Sequence, residues 1–281
     1  MTHTDTETKT VTSETGTPVE SVLIGEKLEL RYETSTEPVV DCTRLDVPKG
    51  AVTALVGPNG SGKSTILKAL SNQLPPAKGE VRLRDRDVRS YGRKEFAREL
   101  GFLAQDRDSP SEITVAELVA QGRYPYREFF SGLTDDDREA VERALSLTGI
   151  EHLGETQLAQ LSGGQKQLAW IAMVLAQETD VLLLDEPTTF LDLHNQFRVL
   201  ETIRTLNERE GVTVAVVLHD ITQAARFGDY LIALDDGQLY DWGSPEEVVT
   251  EQLLEDVFGV EATVRHEPEL QVLPRQACQH D

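Results

Sequence analysis

The stretch GPNGSGKST, from Gly57 to Thr65, decides the fold. It follows a short apolar run, Ala51 to Val56, and leads into Ser64 to Leu74, where apolar residues recur at helical spacing. The pattern G-x-x-x-x-G-K-[ST] between a strand and a helix is a phosphate-binding loop. Its glycines allow successive backbone N–H groups to surround the β- and γ-phosphates, and the start of the helix adds a partial positive charge. The stretch therefore predicts a nucleoside triphosphate site.

The polar residues of this loop have separate expected roles. Lys63 brings a point charge to the β- and γ-phosphate oxygens, which makes it both a binding and a catalytic candidate. The Ser64 hydroxyl is suited to ligate Mg²⁺, and Thr65 is expected to donate to the α-phosphate region. The candidate nucleotide-binding residues of the loop are Gly57, Pro58, Asn59, Gly60, Ser61, Gly62, Lys63, Ser64 and Thr65.

A second stretch, VLLLDEP from Val181 to Pro187, ends an apolar strand with two acids. Ligands of open α/β sheets bind at the carboxyl ends of the strands, so Asp185 and Glu186 are expected beside the phosphates. Asp185 is suited to hold Mg²⁺, directly or through water, and Glu186 to polarise the attacking water as a general base. Two strand-end acids alone would often form a salt-bridged rim. The phosphate loop earlier in the chain favours the catalytic interpretation.

Strand-like and helix-like segments alternate along the chain, which predicts an α/β fold. Val212 to Leu218 is continuously apolar, as expected of a central strand covered on both faces. Tyr230 to Leu234 and Gln238 to Trp242 flank an Asp-Asp-Gly turn, which predicts a hairpin. Ser244 and Thr250 are expected to cap two short helices that follow the hairpin.

Composition sets the expected domain boundaries. Residues 1–18 are mostly Thr and acids with little to bury, which predicts a disordered tail. Residues 266–281 show no periodicity and are expected to form a second tail. Between them, residues 19–265 are predicted to form one domain, and residues 108–165 within it carry helix signals and no strong strand. That segment is expected to be a helical insert.

Between the phosphate loop and the strand-end acids lies LSGGQ, Leu161 to Gln165, at the start of a predicted helix. With this motif the sequence resembles the ATP-binding subunits of ABC transporters. The resemblance implies an α/β P-loop nucleoside triphosphatase with a mainly parallel sheet, an N-terminal antiparallel β part and an inserted helical subdomain. It also implies a homodimer, arranged head to tail, that encloses two ATP molecules. The signature residues expected to face the ATP bound by the other subunit are Ser162, Gly163, Gly164 and Gln165.

Further positions match the family one at a time. Gln105, in GFLAQD, resembles the Q-loop glutamine that senses Mg²⁺ and the attacking water, which makes it a catalytic and metal candidate. His219, at the end of VTVAVVLH, resembles the switch histidine that contacts the γ-phosphate. Phe190-Leu191-Asp192 resembles the D-loop, with Asp192 communicating across the dimer. Tyr32 stands where the family places an aromatic ring that stacks on adenine.

The charge balance restricts the partners. Lys plus Arg sum to 27 and Asp plus Glu to 49, a formal net charge of −22. Such a surface disfavours nucleic acid and anionic membranes as partners. Excess acid with only 8 Lys against 19 Arg suggests a halophile, in which high salt screens the self-repulsion. Cys42 and Cys278 fit no disulfide framework or zinc site, and no apolar run is long enough to span a membrane, so a soluble protein of the cytosol is expected.

Several classes of ABC protein are disfavoured by what surrounds the motifs. The segment between Gly62 and Leu161 is too short for the long coiled coils of the DNA-repair and chromosome ATPases and has no sustained heptads. We see in the sequence no zinc-spaced cysteines, which the excision-repair type needs. We also see neither the second cassette of the translation-factor type nor the fused membrane domain of many exporters. An importer subunit is favoured, bound at the cytoplasmic face to separate integral membrane permease subunits and acting with a substrate-binding protein only indirectly.

Two stretches carry a finer resemblance. Residues Gln121 to Phe130 and His219 to Val249 resemble the helical insert and the post-switch region of ATPases that serve iron-siderophore, haem and cobalamin uptake. A ferric siderophore is the first expectation for the cargo, with cobalamin or haem second. The alternative from another class is a soluble ABC ATPase of iron–sulfur cluster assembly, which would not purify with membrane subunits.

Overall fold

The computed structural model describes residues 20–33, 35–105, 112–128, 132–267 and 269–278. The expected N-terminal tail, residues 1–18, lies outside the described residues. The strands are β1 (Ser21–Leu30), β2 (Val40–Pro48), β3 (Val52–Val56), β4 (Lys78–Leu83), β5 (Arg86–Asp87), β6 (Leu100–Leu103), β7 (Val181–Leu184), β8 (Thr213–Val217), β9 (Tyr230–Asp235), β10 (Gln238–Gly243), β11 (Val260–Arg265) and β12 (Gln271–Ala277). The α-helices are α1 (Lys63–Leu70), α2 (Arg93–Glu99), α3 (Val115–Ala120), α4 (Asp135–Thr148), α5 (Gly163–Leu175), α6 (Leu193–Glu210), α7 (Ile221–Phe227), α8 (Pro245–Val248) and α9 (Glu251–Asp256).

The central sheet has six strands in the order β10-β9-β3-β8-β7-β6. All neighbours are parallel except the hairpin partners β9 and β10. Every residue of β3, β7 and β8 is buried, which is why these segments read as unbroken apolar runs rather than as an alternating pattern. Because the strands are parallel, the loops that follow β3, β6, β7 and β8 leave from the same edge of the sheet. The predicted mainly parallel sheet is confirmed.

A second, antiparallel sheet has the order β2-β1-β4-β5 and comes largely from the N-terminal part of the chain. Helix α1 packs between the two sheets: Ile66 and Leu67 are fully buried in one apolar cluster with Leu28 of β1 and Leu55 of β3. Burying each of these side chains contributes roughly 1.5–3 kcal/mol. This packing fixes the start of α1, and with it the phosphate loop, against the end of β3.

The described part of the predicted insert is helical. Between β6 and α5 the chain forms α3, α4 and three short 3₁₀ turns, with one isolated bridge between Thr114 and Gln157. Thr134 caps α4 by accepting from Asp137 N–H, and the acids of that first turn oppose the positive end of the helix dipole. The apolar face of α4 packs on α5, and Ala144 and Ile171 of these helices belong to one buried apolar cluster.

The C-terminal segment differs from the expectation of a tail. Gln271–Ala277 forms β12, which pairs antiparallel with β11. The strand lacks the periodicity used for prediction because almost all its residues are exposed, one of them is Pro274, and Val272 alone in it packs on the core. Upstream, the β9–β10 hairpin and the caps at Ser244 and Thr250 are confirmed. No helix in the described part of the chain is both long and apolar enough to cross a bilayer.

Candidate nucleotide site

The predicted site residues meet at the carboxyl edge of the central sheet. The phosphate loop follows β3, Gln105 follows β6, the two acids follow β7, and His219 follows β8. Between them lies an open cleft of about 370 Å³. The cleft is lined by Val39, Asn59, Gly60, Gly62, Lys63, Ser64, Thr65, Gln105 and Glu186.

Two glycines give the phosphate loop its shape. Gly57 has a φ of +145°, and a Cβ at this position would collide with the backbone oxygen of Leu234 on the neighbouring β9. Gly62 has a φ of +96° and immediately precedes α1. No side chain caps the N-terminus of α1, so its first backbone N–H groups are left for an anion. The loop therefore has the conformation that the motif predicts.

Lys63 is held inside the loop. Its Nζ donates to the Gly57 carbonyl at 2.9 Å and to the Pro58 carbonyl at 2.7 Å. Burial lowers the pKa of Lys63, although the nearby carboxylates of Glu186 and Asp185 act in the opposite direction. A phosphate in the loop would replace these neutral carbonyl partners with a charged acceptor, which forms the stronger hydrogen bond.

Ser64 and Asp185 form a pair suited to a divalent cation. Ser64 Oγ donates to Asp185 Oδ1 at 2.8 Å, and Asp185 is only 1% exposed. Among the described residues no group hydrogen-bonds the other carboxylate oxygen, Oδ2. Burial raises the pKa of Asp185, while the hydrogen bond from Ser64 opposes that rise. A buried carboxylate oxygen without a partner, next to a hydroxyl and a phosphate loop, has the oxygen ligands that Mg²⁺ prefers.

Three side chains meet at one oxygen of Glu186. Its Oε2 lies 2.7 Å from Gln105 Nε2, 2.7 Å from His219 Nε2 and 3.0 Å from Thr189 Oγ1. Gln105 and His219 were candidate site residues from the sequence, for contact with Mg²⁺, water and the γ-phosphate, but their contacts with Glu186 were not predicted. Thr189 was not a candidate, because nothing in the sequence distinguishes this threonine from any other turn residue. The structure thus brings together Glu186, Gln105 and His219 from the ends of three strands.

The backbone at Glu186 is strained. Its φ is +50°, which is unusual for a residue with a side chain and costs on the order of 1–3 kcal/mol. Gln167 of α5 donates from Nε2 to the carbonyl of the following residue, Pro187, at 2.7 Å. The start of the turn after β7 is therefore tied to the helix that carries the LSGGQ motif. Sequence reasoning missed Gln167, whose spacing on α5 gives no signal.

Tyr32 lies beside the far end of the phosphate loop. Its hydroxyl is 3.3 Å from Thr65 Oγ1, and the ammonium group of Lys68 is 5.8 Å from the centre of its ring. The ring is thus close to the helix start that the phosphates would face. Stacking of Tyr32 on adenine remains a prediction.

The signature turn begins α5. Ser162 Oγ accepts from the Gln165 N–H at 3.3 Å, and Gln165 Oε1 accepts from the Ser162 N–H at 3.0 Å, so the pair forms a capping box. Ser162 and Gly163 are exposed, and a Cβ on Gly163 would meet open space. A Cβ on Gly164 would lie 3.4 Å from the side chain of Leu191 and 3.5 Å from that of Asn195 in the first turn of α6.

Asp192 begins α6, next to the signature turn. Its Oδ1 accepts from the Asn195 N–H at 2.8 Å, which caps the helix. Two large apolar side chains near Asp192 are exposed to solvent: Phe190 is 94% exposed and Leu193 is 67% exposed. Phe190 also has a left-handed backbone, with a φ of +64°. The signature turn and the segment Phe190–Asp192, in which Leu191 is buried and its two neighbours are exposed, form a surface called here the signature face.

A parallel sheet whose strand ends present a phosphate loop, a buried carboxylate beside its serine and a second acid defines a P-loop nucleoside triphosphatase. A family model described as "ABC transporter" matches residues 40–189. The chain belongs to the ABC transporter family and is one of its ATPases.

Curated relatives and solved structures agree with this membership. The chain is 47% identical to the ferric enterobactin transport ATP-binding protein of Escherichia coli, over 88% of this chain and 90% of that protein. It is 42% identical to the iron(3+)-hydroxamate import ATP-binding protein of Bacillus subtilis, over 82% of this chain and 86% of that protein. A dimeric ATP-binding cassette in a post-hydrolysis state, bound to ADP and Pi, superposes with a TM-score of 0.71 at 28% identity, covering 79% of this chain and 98% of that one.

Proposed function

We propose that this chain is the ATP-hydrolysing subunit of an importer that takes up a ferric siderophore through a separate membrane permease. The observation that carries the hydrolytic part is the convergence of Gln105, His219 and Thr189 on Glu186 beside an open phosphate loop. The cargo class is supported by the two relatives above, whose names refer to ferric enterobactin and to iron(3+)-hydroxamate.

ATP is proposed to bind with its phosphates in the loop Gly57–Thr65. The backbone N–H groups of the loop and of the first turn of α1 would hold the β- and γ-phosphates, and Lys63 Nζ would exchange its two carbonyl partners for phosphate oxygens. Ser64 and Asp185 would hold Mg²⁺, with Gln105 near it. Bound there, Mg²⁺ supplies positive charge that neutralises the β- and γ-phosphate oxygens.

Glu186 is proposed as the general base. The oxygen of a water molecule forms a bond to the γ-phosphorus, the bond between that phosphorus and the β–γ bridging oxygen breaks, and ADP leaves with the bonding electrons. Glu186 accepts the proton that the water loses, while Gln105 and His219 orient the carboxylate and the γ-phosphate oxygens. Strain at Glu186, the hydrogen bonds from Gln105 and Thr189 and the contact with His219 would hold the carboxylate in one position, which is the arrangement that positioned catalysis requires.

The second half of each site is proposed to come from another copy of this chain. Ser162, Gly163, Gly164 and Gln165 lie at an exposed helix N-terminus, which is a suitable partner for an anion held by the opposite subunit. Phe190 and Leu193 on the same surface are too large and apolar to be favourable in water, which supports a protein contact there. A head-to-tail dimer would cover the signature face of each chain with the phosphate loop of the other.

The proposal places the dimer at the cytoplasmic face of the membrane, attached through permease subunits. The net charge of −22 disfavours direct attachment to anionic lipid or to nucleic acid, so we assign the membrane contact to protein alone. The substrate-binding protein would act only through the permease. Cobalamin or haem is the second choice of cargo, and neither relative described above is an iron–sulfur assembly ATPase.

The test is transport by the chain together with the membrane proteins that purify with it, reconstituted in liposomes at high salt. A ⁵⁵Fe-labelled ferric siderophore is expected to accumulate only when Mg²⁺ and ATP face the ATPase. Glu186→Gln should bind ATP, lower ATP turnover by at least about a hundredfold and abolish uptake. ATP turnover without iron uptake would contradict the cargo, and undiminished turnover in Glu186→Gln would contradict the assignment of the base.

A further inference from the structure

Two glutamines connect the segment after Glu186 with the helix after His219. Gln196, in the first turn of α6, donates from Nε2 to the backbone carbonyl of Leu191 at 3.0 Å. Its Oε1 accepts a hydrogen bond from Gln223 Nε2 at 2.8 Å. Gln223 lies in the first turn of α7 and is only 8% exposed. We call this pair the glutamine bridge.

The two ends of the glutamine bridge have different surroundings. At one end, Leu191 belongs to the signature face and packs against Gly164. At the other end, the backbone N–H of Gln223 donates to Asp220 Oδ1 at 3.1 Å. Asp220 follows His219, the residue whose Nε2 contacts Glu186. The bridge therefore extends from Leu191, the buried residue of the signature face, to the neighbour of a proposed catalytic group.

The direction of the hydrogen bonds is fixed by the backbone. Because the Leu191 carbonyl can only accept, Gln196 must turn its amide nitrogen toward it, which leaves Oε1 as the acceptor for Gln223. Gln223 must then donate. A glutamate at either position would set two acceptors against each other, and a methionine would keep the volume but form neither bond.

Packing beside the bridge makes the connection stiff. Phe197 of α6 and Phe227 of α7 meet edge to face, with ring centroids 5.9 Å apart. The guanidinium of Arg226 lies 5.4 Å from the centre of the Phe197 ring. Since α6 and α7 are held by both contacts, we expect a shift at the start of α6 to move α7 as well.

We propose that Gln196 and Gln223 are positioning residues that couple contact at the signature face to the orientation of His219 against Glu186. The inference rests on the proposed function, since it assumes that a second copy of the chain binds this face. Neither glutamine is assigned a contact with ATP. Each acts through the backbone, so that hydrolysis is favoured when the segment Phe190–Asp192 is held by the partner.

The kinetic test uses the transporter complex with Gln196→Met, Gln223→Met and the double variant. Each single variant is expected to lower kcat about tenfold, with KM for ATP within about twofold of the wild type, because binding does not require the bridge. The double variant should match the worse single variant, since either substitution breaks the same connection. Gln252→Met is the control, because it removes an exposed glutamine that donates to Asp256 on α9. An unchanged kcat in both single variants, or losses that multiply in the double variant, would overturn the proposal.

A second measurement does not depend on activity. In the isolated chain, Gln223→Met should increase hydrogen–deuterium exchange across residues 188–195, although the substitution lies on α7. Unchanged exchange in that segment would overturn the connection. A wild-type chain that shows no ATP turnover with its membrane subunits would instead contradict the proposed function, and the exchange result would still decide whether the bridge exists.

Discussion

At the scale of single residues, the site combines groups that are costly to bury with partners that do not fully satisfy them. Asp185 is nearly inaccessible, accepts a hydrogen bond from Ser64 on one oxygen and has no partner among the described residues on the other. Glu186 has a left-handed backbone. Such features destabilise the empty protein and are expected where a ligand completes the arrangement.

Asp185→Asn tests this trade between stability and function. The variant should lose Mg²⁺-dependent ATP turnover by at least about a hundredfold, because the buried charge that would hold the ion is gone. Without nucleotide it should nevertheless unfold at a higher temperature than the wild type, since an uncharged amide is less costly to bury. Turnover and thermal unfolding of the two proteins, measured side by side, provide the check. A variant less stable than the wild type would contradict the cost assigned to burying the Asp185 carboxylate.

The difference in stability between the wild type and Asp185→Asn should depend on pH, and the sign of that dependence follows from the pKa of Asp185. Because burial raises the pKa of Asp185 above its ordinary value of 3.8, the folded chain holds this proton more tightly than the unfolded chain does. The free energy of unfolding therefore falls as pH rises through the interval between the two values. The stability advantage of Asp185→Asn should be full above the raised pKa and should shrink as pH is lowered toward about 4. Denaturant unfolding at a series of pH values measures it.

At the scale of elements, a buried ion pair holds the helical insert together. Arg123 Nε donates to Asp137 Oδ1 at 2.9 Å, and its Nη1 donates to the Ala176 carbonyl and to Glu178, each at 2.8 Å. Asp137 also accepts from the Thr134 N–H at 3.0 Å. One guanidinium thus ties the turn after α3 to α4 and to the residues that follow α5.

Asp137→Ala should lower the free energy of unfolding by about 3 kcal/mol, because it leaves the buried guanidinium of Arg123 without one of its carboxylates. Asp135→Ala is the matched control: it removes an acid from the same helical turn, but one whose pairing with Arg138 is exposed, so its cost should stay below about 1 kcal/mol. Urea unfolding of both variants gives the comparison. Equal losses would show that the buried pair adds nothing beyond the helix dipole.

The contribution of the Arg123–Asp137 pair to stability should depend on pH in the opposite sense to that of Asp185. Burial alone would raise the pKa of Asp137, but the hydrogen bonds from Arg123 and Thr134 together lower it below its ordinary value. The stabilisation by Asp137 is then complete above the pKa that this residue has in the unfolded chain. It is lost as pH falls through the lowered pKa of the folded chain. The difference in the free energy of unfolding between wild type and Asp137→Ala should therefore shrink only as pH falls below the ordinary value of 3.8.

The elements show what could be predicted from the sequence. Buried parallel strands and the phosphate loop were predictable because their apolar runs and glycine spacing are local consequences of burial and of positive φ. Strand β12 was not, since an exposed strand with a proline carries no apolar period. Thr189 and Gln167 were missed because their contacts join residues brought together only by the fold.

At the scale of the whole molecule, the net charge of −22 should make stability depend on salt. Like charges repel in the compact state, and salt screens that repulsion over a Debye length that falls from about 10 Å at 0.1 M to about 3 Å at 1 M. The midpoint of urea unfolding is expected to rise steadily with KCl over this range. A parallel series in sucrose is the control, because sucrose stabilises proteins by being excluded from their surface but does not screen charge. Equal stability at low and high KCl would contradict the proposed adaptation to salt.

The proposed shared site is tested most directly by the mass of the Glu186→Gln variant in solution with ATP and Mg²⁺ at high salt. Sedimentation should give a dimer that holds two ATP molecules, and adding Ser162→Arg should leave monomers that each bind one. Ser244→Arg removes a similar capping serine from α8, far along the chain from the signature turn, and should leave the dimer intact. A chain that stays monomeric at saturating ATP, or a dimer that persists with Ser162→Arg, would contradict the head-to-tail arrangement.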